Sequence, residues 1–277
     1  MSAPSASEAS VERRLPAGRK AELAAYVAEV GEVTVARLAE RFEVSSDTIR
    51  RDLDRLDADG VLIRTHGGAI SLSAVARPDT GMDVRLRLQT SAKERIGALA
   101  STLVQDGTAV MINGGTTTLA VVRHLSDRRD LTIATNSLRI PSELAPGVAR
   151  DVYVFGGVVR VTAQATIGPV RFQAPGSGPE LDVRCDLALI GVGSVSTDAG
   201  FATSNLGEAA MMSEMMDRAG RVAILADATK FGRRLFAQVA ELGRADYLVT
   251  DQAPPPELAK ALRDHDVEIL VPGGVGG

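Results

Sequence analysis

At 277 residues the chain is longer than the roughly 100–200 residues usual for one domain, so two domains are the first expectation. Hydrophobic residues at 45% and charged residues at 24% exclude both a highly charged disordered chain and an apolar membrane protein, and no run of about 18 apolar residues is present to cross a bilayer. The formal net charge of −4 lacks the basic balance of many nucleic-acid binders, so any such role has to rest on where the basic residues stand.

Residues 1–16 are rich in Ser, Ala and Pro with no apolar period and read as a disordered tail. This stretch lacks the continuous apolar core of a secretory signal, and the single cysteine, Cys185, cannot form an intrachain disulfide; a cytoplasmic location and no membrane partner are expected. Cys185 stands just before an apolar run, in LDVRCDLALIG, where a buried structural thiol is a stronger reading than a nucleophile.

Residues 17–72 carry three helical patterns and a short two-stranded signal. In the first helix Leu23, Tyr26, Val27 and Val30 share a face that stops at Gly31. The second starts after an N-cap at Thr34 and turns Val35, Leu38, Ala39 and Phe42 inward, and Glu43-Val44 makes a tight turn. Ser45 caps a third helix whose buried stripe is Ile49, Leu53 and Leu56. Its outer, N-terminal end presents Ser46, Asp47, Arg50 and Arg51, which suits a recognition helix set against base edges, where Arg pairs with guanine and short polar groups reach phosphate. Asp52, Asp54, Asp57 and Asp59 lie farther along, away from the contact end, where they limit nonspecific phosphate binding. Leu62 and Ile63 begin a wing strand, and His66-Gly67-Gly68 makes its turn. His66 reads equally as a base contact or as a polar turn residue. A small helical interaction module with solvated charges is the alternative to a DNA reader.

Residues 73–87, centred on SAVARPDTGMDV, have a linker's composition, and 88–277 form the second domain. RLRLQTSAKERIGALASTLVQDG reads as one helix with Ile96, Leu99, Ala100 and Leu103 on a face and Asp106-Gly107 as its stop. Strands are then expected at TAVMIN, LTIAT, VYVFGG, LALIGV, VAILAD, YLVTD and VEILV, alternating with helices. Most are continuous apolar runs, so the fold class is α/β with a mainly parallel sheet buried on both faces. PGSGPE, near residue 177, reads as a surface loop.

The chemistry of this domain centres on AVMINGGTTTLAVVRHL: an apolar strand, a Gly-Gly-Thr-Thr-Thr loop and an amphipathic helix. Such a loop makes a phosphate cradle, because glycines let backbone approach an anion while helix-start N–H groups and Thr hydroxyls donate to it. An ordinary strand-to-helix turn with threonine caps is the alternative. Other strand ends are polar as well: Thr135-Asn136-Ser137, Gly191-Val192-Gly193 and Asp227-Ala228-Thr229-Lys230. Lys230 offers a phosphate its counter-charge unless it is simply a surface lysine, and Asp227 offers a sugar hydroxyl an acceptor.

VSSDTIRRDLDRLDADGVLIRTHGGA resembles the signature of DeoR-family bacterial regulators, with TIRRDL and HGGA at family spacing, and the resemblance runs from about residue 18 onward. It implies a winged helix-turn-helix with Thr48, Arg50 and Arg51 on the DNA-contacting helix. It also implies a sensor domain similar to the sugar-phosphate isomerase and coenzyme A transferase superfold, binding a small phosphorylated metabolite. The family loop pattern is Asp-Ala-Gly-Thr-Thr-Thr, and here Asn113-Gly114 replaces Asp-Ala. Gly115, Thr116, Thr117, Thr118, Thr135, Asn136, Ser137 and Lys230 match as effector contacts, and Glu208 fits the family's acidic position. Met211, Met212, Met215 and Met216 follow Glu208 and read as core or subunit contacts. His124 and His265 have no partners at ligand spacing, so no metal and no cofactor are expected.

The resulting expectation is a non-enzymatic regulator, usually a repressor by resemblance, acting on carbohydrate metabolism genes. It would bind a double-stranded operator as a homo-oligomer under control of a phosphorylated sugar or related effector. A sugar-phosphate isomerase or transferase-like enzyme is the second reading, with Asp227 or Asp186 as base because Asn113 cannot serve as one. A protein-binding adaptor is the third.

Overall fold

A computed structural model describes residues 16–58, 61–65, 67–71, 81–173, 180–181 and 183–273, and the chain divides into two compact units, Met1–Thr80 and Gly81–Gly277. His66, Asp59, nearly all of the expected N-terminal tail and most of the PGSGPE loop lie outside the described residues.

The first unit runs α1 (Pro16–Val30), β1 (Glu32–Thr34), α2 (Val35–Phe42), α3 (Ser46–Ala58), β2 (Leu62–Arg64) and β3 (Gly68–Ser71). Thr34 caps α2 by accepting from Arg37 N at 3.3 Å, and Glu43 ends that helix in a left-handed turn (φ 52°). Ser45 Oγ accepts from Thr48 N at 3.2 Å and starts α3. Leu23, Val27, Leu38, Ile49 and Leu53 are fully buried and form the core. Val30, read as inward-facing, is exposed because α1 ends there and the chain turns at Gly31. The wing is a three-stranded antiparallel sheet in the order β1-β3-β2, one strand more than expected. Gly68 sits where β3 crosses β1, and a Cβ there would lie 1.9 Å from Val33 O, so no other residue fits.

The second unit begins with α4 (Met82–Arg87) and α5 (Thr90–Ser101), followed by β4 (Ala109–Ile112), α6 (Thr116–Arg123), β5 (Leu131–Thr135), α7 (Ile140–Glu143), β6 (Ala149–Val154), β7 (Val158–Arg160), β8 (Ala165–Ile167), β9 (Phe172–Gln173) and β10 (Glu180–Leu181). It continues with β11 (Cys185–Gly191), β12 (Ser194–Ser196), β13 (Gly200–Thr203), α8 (Leu206–Asp217), β14 (Ala219–Leu225), β15 (Ala237–Ala240), β16 (Tyr247–Val249), α9 (Pro256–Asp264) and β17 (Glu268–Leu270). Two readings are corrected here. The segment 82–87, taken as linker, is a helix anchored by buried Met82. The single long helix is instead two, broken where Gln89 takes a left-handed φ of 49°, and the second ends at Ser101 rather than at Asp106-Gly107.

The seven expected strands form one parallel sheet in the order β17-β16-β14-β11-β4-β5-β6. Successive residues serve opposite cores. Val110, Ile112, Leu187, Leu189, Ala223 and Leu225 face one, and Met111, Ala188, Ile190, Val222 and Ile224 the other, which is why these strands read as unbroken apolar runs. The four methionines of α8 are buried in the second core. The chain leaves β4 in one direction, through β5 to β6, and returns to build the other half from β11, so the strand order reverses between β4 and β11. In such sheets ligands bind beyond the carboxyl ends of the strands at this switch point.

Candidate functional site

In the first unit, Asp47, Arg50 and Arg51 are exposed at the N-terminal end of α3, and Ser46 and Thr48 are half-buried beside them. Arg50 Nη1 donates to Asp47 Oδ1 at 2.8 Å, one turn apart, while Arg51 extends to solvent with no ion-pair partner among the described residues. Two arginines and a helix N-terminus on one convex end match what a major groove accepts. The later aspartates are structural rather than free. Asp52 is buried against Arg19 Nε at 2.7 Å, Asp54 pairs with Arg64, and Asp57 Oδ1 accepts from Arg64 N at 3.1 Å. They fix α1 and the wing strand to α3, a role the sequence reading did not assign.

In the second unit, the Gly-Gly-Thr-Thr-Thr loop sits at the switch point. Asn113, directly after β4, donates through Nδ2 to Gly191 O at 2.9 Å and accepts from Gly191 N at 2.8 Å, closing β4 onto the end of β11. Gly114 N donates to Asn136 Oδ1 at 2.7 Å; Asn136 Nδ2 donates to Thr166 O at 2.7 Å. A Cβ on Gly114 would meet Ala165 Cβ at 2.8 Å, so the alanine of the family pattern has no room here. Gly115 precedes α6 with no side-chain cap, which leaves that helix start open.

The expected contacts differ in availability. Thr118 Oγ1 donates to Asn113 O at 2.7 Å, Thr135 Oγ1 donates to Ile112 O at 2.6 Å, and Ser137 Oγ accepts from Arg139 N and Ile140 N, so these three hydroxyls shape the loop. Thr116 is buried and Thr117 half-buried on the first turn of α6. Gly191 belongs to the loop through Asn113, whereas Gly193 turns away, donating to Ala202 O at 2.9 Å beside β13. Asn205 caps α8 on Glu208 N, and the Glu208 carboxylate is shared between Arg160 Nη1 at 3.1 Å and Thr203 Oγ1 at 3.0 Å.

Beyond the end of β14, buried Asp227 accepts from Thr229 N at 3.0 Å and holds the single turn that carries Lys230. Lys230 meets two further basic residues that sequence reading missed. Arg85 comes from α4, and Lys93, only 6% exposed, comes from α5 and donates from Nζ to Arg85 O and Leu88 O. Burial pushes the Lys93 ammonium down to about 7 against the opposing pull of Asp227, with Lys230, Arg85 and Arg123 adding to the depression. Lys230 is lowered by burial, opposed by Asp227 and helped by Arg233 and Arg85. Arg85 is lowered by burial, with Glu208 opposing and Arg160 assisting. Neither the Arg85 guanidinium nor the Lys230 ammonium has a hydrogen-bond or ion-pair partner among the described residues. Clustered, desolvated cations that outnumber the carboxylates near them, Asp227 and Glu208, suit an incoming anion. One signal for Lys93 was legible: it shares the i, i+3, i+7 stripe of Ile96 and Ala100.

Cys185 is buried and its thiol is pushed up to about 11 by burial and by Asp186, so it is not a thiolate at neutral pH. His124 Nε2 lies 2.8 Å from Glu94 Oε2, and His265 ends α9. Among the described residues no group of three or more His, Cys, Asp or Glu gathers to hold a metal, and no helix is long and apolar enough to cross a membrane.

Two family models match the chain: a DeoR-like helix-turn-helix domain over residues 19–75 and a DeoR C terminal sensor domain over 88–252. The chain is 32% identical to the HTH-type transcriptional repressor CsqR of Escherichia coli K12, over 92% of this chain and 95% of that protein. It is 28% identical to the glycerol-3-phosphate regulon repressor of the same bacterium, over 88% and 94% of the two chains. Among solved structures it is similar to ribose 5-phosphate isomerase from Plasmodium falciparum, with 12% identity, 51% and 52% coverage and a TM-score of 0.36. A helix-turn-helix reader followed by a parallel α/β sensor domain, matched over nearly its whole length, means that this chain belongs to the DeoR family of transcriptional regulators.

Proposed function

We propose that the protein is a cytoplasmic repressor of carbohydrate metabolism genes that binds its operator as a homo-oligomer and is released by a phosphorylated sugar or a related phosphorylated metabolite. The observation that carries this reading is the half-buried, desolvated pair Arg85 and Lys230, whose charged ends make no hydrogen bond or ion pair among the described residues, with buried Lys93 alongside. The open start of α6 and Thr116-Thr117 add donors at the switch point, and Asp227 and Glu208 supply acceptors for ligand hydroxyls. The name of the glycerol-3-phosphate regulon relative is in keeping with a phosphorylated effector.

Regulation follows from linkage. A ligand that prefers the arrangement unable to set two readers on paired half-sites lowers operator affinity by the ratio of its affinities for the two arrangements. The residues favour binding over turnover. Asn113, where the family pattern has a carboxylate, is an amide paired with Gly191 and cannot serve as a base.

A thermal-stability screen against matched phosphorylated and unphosphorylated sugars tests the reading, because a compound that binds only the folded form raises its unfolding temperature. Stabilisation by a phosphorylated compound and not by its unphosphorylated counterpart is expected; the reverse pattern would refute the phosphate assignment.

A further inference from the structure

α4 is six residues long, fewer than two turns, and a helix that short does not hold its place by its own hydrogen bonds. Its last carbonyls find partners on the first turn of α5. Lys93 Nζ donates to Arg85 O and Leu88 O, and the Thr90 hydroxyl shares its one hydrogen between Leu86 O and Arg87 O, each at 3.3 Å. All four carbonyls from 85 to 88 are thus met by two side chains one turn apart, at the helix end where orphan acceptors and the negative pole of the helix dipole gather. Gln89, at a left-handed φ of 49°, is the bend that brings the two helices together.

A buried lysine is usually matched by a carboxylate in contact with it. Lys93 is 6% exposed and has no ion-pair partner among the described residues; the two carbonyls take its hydrogen bonds. Of the charges that act on it, Asp227 supports its positive form, while Lys230, Arg85 and Arg123 oppose it. An anion set among those cations relieves the opposition and strengthens the ammonium's hold on α4. Arg85 stands on the turn that this hold fixes, since its own carbonyl is one of the two acceptors.

We propose that Lys93 and Thr90 are positioning residues of the effector site: together they clasp the end of α4 and so aim the Arg85 guanidinium at the effector's phosphate. This role rests on the reading of Arg85 and Lys230 as the anion site, and adds what holds Arg85 in place there. Thr90 separates positioning from direct contact. It is exposed and uncharged, so whatever it contributes to anion binding comes through α4.

Two measurements on the full chain test the clasp. Hydrogen exchange read by mass spectrometry should show the 82–88 amides exchanging at least ~10-fold faster in Lys93→Met and a few-fold faster in Thr90→Val, with β4 and β5 unchanged, because the loss is confined to α4. Calorimetry with inorganic phosphate as the ligand should give binding ~10-fold weaker in Lys93→Met and ~3-fold weaker in Thr90→Val. Placed on Arg85→Ala, Thr90→Val should add no further loss; placed on Lys230→Ala, it should add its full ~3-fold, because the clasp acts through Arg85. Should Lys93→Met fail to fold, Thr90→Val carries both measurements. Unchanged exchange at 82–88, native phosphate affinity, or a loss from Thr90→Val that persists without Arg85 would each overturn the positioning role and leave the anion site standing. A native chain that binds no phosphate would overturn the anion site and the positioning role together.

Discussion

Asn113 and Gly191 pair as if they were strand neighbours, the side-chain amide of one meeting both the N–H and the C=O of the other at 2.8 and 2.9 Å. This pairing closes the gap between the ends of β4 and β11, where the sheet reverses its strand order and the ligand loop begins. An amide both accepts and donates there, which an ionised aspartate cannot, so the departure from the family's aspartate belongs to the local hydrogen bonding.

Replacing Asn113 by Asp removes the donor to Gly191 O and turns a carboxylate toward a carbonyl. Leaving a buried acceptor unsatisfied costs about 1–3 kcal/mol, which lowers the unfolding temperature of a domain this size by several degrees. Calorimetry of Asn113→Asp checks this, and an unchanged transition would show that the pair contributes nothing.

Lys93 gives the sensor a pH signature. Its folded-state value of about 7 lies below the ordinary 10.5, so between those values the unfolded chain holds a proton that the folded chain has released. Native stability from this group therefore rises as pH increases through that window. An anion bound beside Lys93 favours the charged form and draws a proton back. Titration calorimetry near pH 8 in buffers of different ionisation enthalpy should show proton uptake with the stabilising phosphorylated compound, and Lys93→Met should lose that uptake. Equal buffer dependence in both proteins would remove Lys93 from the site.

On the proposed reading, the exposed arginines of α3 make the reader's contacts. Arg50→Ala with Arg51→Ala should weaken binding to an operator selected from random duplexes by at least ~100-fold, as expected for two lost Arg contacts, with a shallower salt dependence and an unchanged fold. Fluorescence anisotropy measures both quantities. Asp47→Ala frees Arg50 from its 2.8 Å partner and should raise affinity for unrelated duplex.

Asp57 fastens the wing through Arg64 N. Asp57→Ala should cost about 1 kcal/mol of reader stability, the net worth of one such bond, and reduce operator affinity a few-fold by loosening the wing. Chemical denaturation of the reader transition follows the first effect, and anisotropy the second.

Much of this architecture was legible from residue pattern because most of the seven sheet strands are apolar runs and the second and third reader helices have clear caps at Thr34 and Ser45. The short strands β7 to β10, β12, β13 and β15 were not, since pairings of two to four residues carry too little alternation to stand out. The helix break at Gln89 was hidden by apolar residues that continue past it. The Gly-Gly-Thr-Thr-Thr loop stood out by its glycines and threonines, but the grouping of Arg85 and Lys93 with Lys230 arises only through tertiary packing. Arg85 was masked by a linker-like neighbourhood, and Lys93 showed only as a charge in an apolar stripe.

The most direct test of the central claim follows operator release in solution. With the native protein on fluorescent operator, the phosphorylated compound that stabilises it should lower the anisotropy to that of free DNA. Arg85→Ala combined with Lys230→Ala should bind the operator equally well and stay bound at the same ligand concentration. Release of the double variant at the native concentration, or release of the native protein by the unphosphorylated sugar, would contradict the assignment of these half-buried cations as the effector's anion site.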